Sequence, residues 1–195
     1  MLSGVSAQHP EIQGVGEGAL RSGVVHRLDV DTSGCIVFAT RQQTWQRLRA
    51  AFHEHRVEKV YRALVRGRLE PGEVRLGLVM ARHRPARVRV MADSEVERAR
   101  GVRWSETRWR SVEHFENATL VEARPRTGHL HQLRATFAHL GHPLLGDSTY
   151  ADSATARAAP RHMLHASQVR FEEVEAVSSD AADFSAALAR LRDGA

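Results

Sequence analysis

Alternating hydrophobic and polar positions predict most of the β-structure of this chain. In residues 57–65, for example, Tyr61, Ala63 and Val65 share one side of an extended pleat. Turn residues such as glycine, proline and asparagine separate the alternating segments, so consecutive strands are joined directly. The predicted strands cover residues 24–28, 35–39, 57–65, 87–90, 107–115, 118–123 and 168–171.

Three other segments have the spacing of amphipathic helices. Residues 41–55 and 129–140 repeat apolar side chains every three or four positions, and a third helix is predicted at residues 180–192. Residues 1–23 are rich in glycine and have no sustained period, which predicts an irregular N-terminal segment. Because strands outnumber helices and mostly follow one another, we expect an α+β fold with a mixed, largely antiparallel sheet and flanking helices.

The length and composition fit one globular domain spanning residues 1–195. Hydrophobic residues make up 42% of the chain and charged residues 26%, which excludes a wholly disordered or fibrous protein. No apolar run approaches the roughly 18 residues of a membrane span, and no secretory signal is present, so we expect no membrane contact and a cytoplasmic location. The single cysteine, Cys35, excludes an internal disulfide and a cysteine zinc site.

The charge of the chain favours an anionic partner. Its 28 basic residues exceed its 23 acidic residues by five, and all but Lys59 are arginine, whose planar guanidinium binds phosphate bidentately. Nucleic acid is the commonest such partner. On charge alone we expect phosphate contacts from four arginines in residues 82–89, namely Arg82, Arg84, Arg87 and Arg89.

Three polar sites stand in apolar surroundings, and each has two interpretations. The loop that contains Asp29 and Asp31 either carries chemistry or caps its own backbone in a turn. Arg134, at the edge of the apolar helix face, either meets a carboxylate such as Asp29 or extends to solvent. Tyr61 belongs either to the core or to a base-binding surface.

A metal site is the less favoured interpretation of the histidines. His129 and His131 resemble a ligand pair by spacing alone. On a helix, however, two positions separated by two residues point about 200° apart, so the rings cannot share an ion. We therefore expect no metal.

Four separated stretches together resemble the RluA-type family of pseudouridine synthases. They are residues 23–40, the Lys-Val-Tyr strand in residues 57–67, residues 127–150 with Gly-His-Leu-His-Gln-Leu-Arg and Leu-Gly-His-Pro-Leu-Leu-Gly-Asp, and Arg-His-Met-Leu-His-Ala at 161–166. Their order matches the family's. The resemblance implies a pseudouridine synthase catalytic fold that isomerises uridines in ribosomal or transfer RNA after flipping the base out. It implies no cofactor and favours a monomer.

The resemblance also implies roles for individual residues. Asp29 corresponds to the catalytic aspartate, Tyr61 to the aromatic residue against the target base, and Arg134 to the basic partner of Asp29. Arg27 corresponds to the residue that fills the gap left by the flipped nucleotide. Whether Asp29 attacks the nucleoside or removes a ribose proton stays open. Further RNA contacts are expected from other polar residues of the same motifs, His26, Lys59, His131 and Gln132.

The sequence departs from the family pattern in two places. His129 and Leu130 stand where the family usually has an arginine and a small hydroxyl residue. The chain also begins without the strand and Lys-Pro-Ala-Gly segment that family members carry upstream. A missing strand beside the catalytic loop would expose a sheet edge. The alternative function is therefore a non-catalytic RNA-binding protein that keeps the fold but lost activity through N-terminal truncation.

Overall fold

A computed structural model describes residues 2–91 and 100–194 and places one large sheet at the centre of the protein. The sequence also predicts an exposed loop of near-balanced charge at residues 92–106; residues 92–99 lie outside the described ranges, and residues 103–106 belong instead to a strand in which Ser105 is buried. The eight strands within the described ranges are β1 (Ser33–Gly34), β2 (Glu58–Arg66), β3 (Gly72–His83), β4 (Ala86–Val90), β5 (Arg103–His114), β6 (Ala118–Pro125), β7 (Leu164–Phe171) and β8 (Val174–Val177).

The strand order is β1-β7-β2-β6-β5-β3-β4. Strand β8 lies outside this order and pairs with β7. All pairs are antiparallel except β1 with β7, where Ser33 lies beside His165. The predicted mixed, largely antiparallel α+β fold is therefore confirmed. Strand β2, which carries Tyr61, lies in the interior of the sheet between β7 and β6.

Helices cover both faces of the sheet. On the face of Ala63 and Val65, the side chains of Leu133 and Phe137 complete the core. On the opposite face, Leu64 packs with the C-terminal helix, as the alternation in β2 predicts. The α-helices of the described residues are α1 (Leu2–Gln8), α2 (Gln42–His53), α3 (Gln132–His139), α4 (Ser153–Arg157) and α5 (Ala182–Arg192). None of the described helices is long and apolar enough to cross a membrane.

The prediction of regular strands at residues 24–28 and 35–39 is wrong. A single bridge joins Val24 to Phe38. The backbone N–H of Val37 instead donates to Nε2 of His26 at 2.9 Å, and that of Cys35 donates to the Ala166 carbonyl. The backbone N–H groups of Cys35 and Val37 thus donate to β7 and to a histidine ring, and not to the backbone of residues 24–28. An alternating sequence pattern does not identify such acceptors.

Other elements also differ from the sequence predictions. Residues 1–23 are not irregular throughout, because they contain α1 and 3-10 turns at Pro10–Ile12 and Ala19–Arg21, and Ile12 is fully buried. Helix α3 begins at Gln132 and not at residue 129, since its preceding residue, His131, has a left-handed φ of 50°. Strands β1, β3 and β8 were not predicted.

Candidate active site

A cleft of about 800 Å³ opens between the loop of residues 25–32, strand β2 and the entry to α3. Loops held by a rigid sheet are common sites of chemistry. The structure brings six of the predicted site residues into the lining of this cleft: His26, Arg27, Asp29, Lys59, Tyr61 and Gln132.

The loop that carries Asp29 is a tight turn. The backbone N–H of Thr32 donates to the Asp29 carbonyl at 3.1 Å, and Asp31 has a left-handed φ of 68°. Gly34, at φ 112°, lies against the backbone of β7, where an added Cβ would stand 2.2 Å from the Ala166 carbonyl oxygen. The turn interpretation and the site interpretation are therefore compatible, because the turn presents Asp29 to the cleft.

Side chains from the Arg-His-Met-Leu-His-Ala segment hold this loop in place. Thr32 Oγ1 lies 2.8 Å from Nε2 of His162, and Ser33 Oγ lies 2.9 Å from Nδ1 of His165. Both histidines are almost fully buried. Burial lowers the pKa of His162 to about 4, with nearby Arg134 acting in the same direction, so its ring is neutral at neutral pH.

Arg161 is the most connected residue of this support. Its guanidinium donates to the carbonyl of Asp31 at 2.8 Å, to Ser33 Oγ at 2.9 Å and to both carboxylate oxygens of Asp183 on α5 at 2.6 and 2.9 Å. It also donates to the carbonyls of its own strand region. Sequence analysis did not single out Arg161 or Asp183, because their partners are distant in the chain.

Tyr61 projects from β2 beside Asp29. Its ring packs against the core cluster on the α3 side of the sheet while its side chain lines the cleft. Burial and the negative charge of Asp29 together raise the pKa of Tyr61 well above its ordinary value. The phenol is therefore neutral at physiological pH. The structure joins the two interpretations of Tyr61, since one ring serves both core and cleft.

Arg134 pairs with Asp147 and not with Asp29, which corrects the expected direct pairing. Its Nε and Nη2 donate to the two Asp147 carboxylate oxygens at 2.7 and 2.8 Å, and the carboxylate is fully buried. Although burial opposes the charged forms, this pairing raises the pKa of Arg134 and lowers that of Asp147. Asp29 contributes to Arg134 only as a more distant charge.

The entry of α3 reaches the basic hairpin of β3 and β4 through Tyr150. His131 Nδ1 lies 3.0 Å from the Tyr150 hydroxyl oxygen, which also accepts the backbone N–H of Val88 at 3.0 Å. The Arg87 guanidinium lies over the Tyr150 ring. Tyr150 thus links the hairpin to the entry of α3, and the hairpin exposes its four predicted phosphate contacts, Arg82, Arg84, Arg87 and Arg89.

Lys59 and His26 form a partly buried pair inside the cleft. Lys59 Nζ donates to the Thr127 carbonyl at 2.8 Å, and burial lowers its pKa to about 8. Burial and the nearby Lys59 charge lower the pKa of His26 to about 4. The His26 ring stacks on Phe52 at 4.6 Å. Since Nε2 of His26 accepts the Val37 N–H, this histidine is a structural acceptor for the loop.

The side-chain amide of Gln132 is hydrogen-bonded within the protein. Its Oε1 accepts hydrogen bonds from the Thr127 hydroxyl and the His129 backbone, while Nε2 donates to the Glu106 carbonyl and to Thr107 Oγ1. These four bonds use the full capacity of a side-chain amide. Gln132 therefore fixes the entry of α3 from inside the protein.

The two histidines weighed as metal ligands have separate partners. His129 Nε2 lies 2.9 Å from the Trp104 carbonyl, whereas His131 faces Tyr150. Over residues 2–91 and 100–194, no group of three or more His, Cys, Asp or Glu side chains is placed to hold a metal ion.

Comparisons with known proteins agree with this fold. The family model described as RNA pseudouridylate synthase matches residues 7–139. Ribosomal large subunit pseudouridine synthase D of Zymomonas mobilis is 33% identical over 184 residues, covering 90% of this chain and 55% of that protein. The dual-specificity RNA pseudouridine synthase RluA of Vibrio cholerae is 36% identical, covering 76% of this chain and 58% of that protein.

Solved structures give the same result. The structure titled human RNA pseudouridylate synthase domain containing 4 superposes with a TM-score of 0.76 at 25% identity, covering 90% of this chain and 78% of that one. The chain spans little more than half the length of the curated relatives named above. With the family model matched over most of the chain and the fold shared, the chain belongs to the RNA pseudouridylate synthase family.

Proposed function

We propose that this chain isomerises uridine in RNA to pseudouridine, with Asp29 as the catalytic carboxylate. The observation that carries the proposal is the position of Asp29 in a cleft beside Tyr61. Its turn is held by hydrogen bonds with Arg161, His162 and His165. The reaction breaks the bond between ribose C1′ and uracil N1 and joins C1′ to C5, the C5 hydrogen leaves as a proton, and N1 takes up a proton from solvent. No electrons are gained or lost.

The neighbours of Asp29 support separate roles in this reaction. Tyr61 stacks against the flipped uracil, since its neutral ring lines the cleft beside the carboxylate. Arg27 is exposed at the cleft and fills the gap left in the RNA. Arg134 acts on Asp29 through its field, because its guanidinium is already engaged by Asp147.

The proposed substrate is ribosomal or transfer RNA. Among the relatives, one is named for the ribosomal large subunit and one, tRNA pseudouridine synthase C of Vibrio cholerae, for transfer RNA. A uridine inside a stacked helix cannot reach Asp29, so the base leaves the stack at a cost of about a few kcal/mol. Stacking on Tyr61 and insertion of Arg27 offset part of that cost.

The test is tritium release from ribosomal and transfer RNA labelled at uridine C5. Asp29→Asn is expected to abolish release while RNA affinity and melting temperature stay near those of the unaltered chain. Asp31→Asn is the matched control, because it removes a carboxylate from the same turn and asparagine tolerates the left-handed φ. Release with Asp31→Asn but not with Asp29→Asn supports the proposal, and release that survives Asp29→Asn contradicts it.

Two further arms separate the alternatives. RNA binding without release by the unaltered chain favours the non-catalytic RNA-binding function. Turnover lost on adding a chelator contradicts a metal-free reaction, whereas the proposal expects no change.

A further inference from the structure

Trp104 is an exposed aromatic side chain at the rim of the candidate active site. It lines the cleft that contains Asp29, yet 41% of its surface is open to solvent. Its backbone carbonyl lies 2.9 Å from His129 Nε2, which ties this start of β5 to the entry of α3. Core packing does not explain why a tryptophan at the rim of this cleft is exposed.

Arg75 covers part of the Trp104 ring. Its Cζ lies 4.3 Å from the ring centroid, within the range of a cation–π contact. In the register of β3 with β5, Trp104 lies opposite Gly77, which has no side chain to cover the ring. Arg75 is itself largely exposed, with the Glu106 carboxylate 3.8 Å away. The Arg75 guanidinium is therefore stacked on one face of a partly exposed indole.

This platform, defined as Trp104 and Arg75, lies between two clefts. Trp104 lines the cleft with Asp29, and Arg75 lines a second cleft of about 740 Å³. Both clefts share His55, Lys59 and Pro125. The second cleft has more basic than acidic side chains: His55, Lys59, Arg75, Arg108, Arg124 and Arg126 against Glu58, Glu73 and Glu106.

We propose that this platform binds an unpaired RNA base next to the flipped uridine and that the strand continues into the second cleft. Bases of unpaired RNA stack on aromatic rings and on guanidinium planes, while their phosphates bind arginine. The continuity of the two clefts gives such a strand a path past Lys59. This inference names a subsite of the proposed function and rests on it for the identity of the strand.

The first test measures binding in the Asp29→Asn background, where turnover does not interfere. The probe is single-stranded oligouridylate, with a duplex RNA of equal length for comparison. Trp104→Ala is expected to weaken oligouridylate binding by at least about fivefold. Trp104→Phe is expected to keep most of the affinity of the unaltered side chain. Affinity that is unchanged in Trp104→Ala, or lost equally for the duplex, overturns the proposal.

Arg75→Gln tests the second half of the platform. It is expected to weaken binding and to reduce the dependence of affinity on salt, since one guanidinium contact is lost. Arg68→Gln is the matched control, because Arg68 is also an exposed arginine beside a carboxylate, Glu70. Equal effects of the two substitutions overturn the assignment of Arg75.

Tryptophan fluorescence gives a readout that loss of folding does not mimic. Oligouridylate is expected to quench the signal of the unaltered chain, and Trp104→Phe to remove that quenching while still binding RNA. Quenching that persists in Trp104→Phe contradicts stacking at this site. Because these measurements need no turnover, a platform that binds RNA while tritium release fails separates this inference from the proposed activity.

Discussion

Arg161 donates a hydrogen bond to the backbone carbonyl of Asp31, two residues beyond Asp29, at 2.8 Å. A left-handed φ at a residue other than glycine costs about 1 kcal/mol, so the turn needs an external support. Arg161 provides it and is itself oriented by both carboxylate oxygens of Asp183. The position of Asp29 therefore depends on a residue more than a hundred positions away in the sequence.

Arg161→Lys is expected to lower kcat for pseudouridine formation by about 10- to 100-fold with little change in RNA affinity. Lysine keeps the charge but cannot serve the carbonyl, the hydroxyl and the carboxylate together, and small displacements of reacting groups cost rates of this order. Steady-state kinetics and RNA affinity are measured in parallel. Arg170→Lys, an exposed arginine paired with Glu58, is the control; an equal kcat in both variants contradicts the positioning role.

Gly34→Ala is expected to destabilise the protein by about 2–4 kcal/mol and to abolish turnover. The new Cβ meets backbone atoms of Ala166 on β7, which cannot move aside without breaking the β1–β7 pairing. Urea unfolding measures the free energy of unfolding. Gly141→Ala is the control, since Gly141 also has a positive φ but open space around its Cβ position; equal losses in the two variants would show that φ alone is responsible.

The buried pair of Arg134 and Asp147 predicts strong coupling in a double-mutant cycle. Arg134→Met and Asp147→Asn each remove one charge and are expected to cost about 3–5 kcal/mol, because the other charge stays buried without its partner. The double variant is expected to cost less than the sum by about 1–3 kcal/mol. Unfolding in urea measures all three, and strict additivity contradicts the coupling.

The same pair predicts an acid limit. Because the folded-state pKa of Asp147 lies below its ordinary value of 3.8, its stabilising contribution is complete above that value. The contribution is lost as the pH falls further, toward the folded-state pKa. The Asp147→Asn variant is expected to lose stability less steeply in this range.

Sequence patterns predict those features of the fold that depend on residues close together in the chain. The sides of β2, the helix of residues 42–53 and the hairpin of β5 and β6 follow from local periodicity. The motifs also locate Asp29 and Tyr61, which the fold brings into one cleft.

The structure adds pairings made across the chain, which periodicity does not encode. Asp147 meets Arg134 because a turn follows α3, and Arg161 meets Asp31 because β7 lies parallel to β1. Trp104 is similar: its exposure depends on Gly77 in a strand that sequence analysis missed. Such relationships require the register of the sheet.

His162 predicts a loss of stability in mild acid. Its pKa is about 4 in the folded protein and about 6.5 when unfolded. Between these values the unfolded chain binds more protons, so the free energy of unfolding falls as the pH decreases from about 6.5 to 4, by on the order of 3 kcal/mol. His162→Gln is expected to flatten this slope, with His139→Gln, at an exposed position, as the control. Equal slopes in the two variants contradict the assignment.

The lowered pKa of Lys59 predicts that RNA affinity falls at alkaline pH. Its ammonium group is charged below a pKa of about 8 and neutral above it, because burial between the two clefts disfavours the charge. Oligouridylate binding by Asp29→Asn is therefore expected to weaken as the pH rises through about 8, and the salt slope to fall by about 0.7, the value for one phosphate contact of a single strand.

Lys59→Arg distinguishes this charge from other alkaline effects. The guanidinium stays protonated over the whole range, so this variant is expected to keep its affinity and its salt slope above pH about 8. Lys59→Met is expected to bind weakly at every pH. If all three proteins lose affinity in parallel, another group titrates; if only the Lys59 protein does, its ammonium group binds the phosphate at the junction of the two clefts.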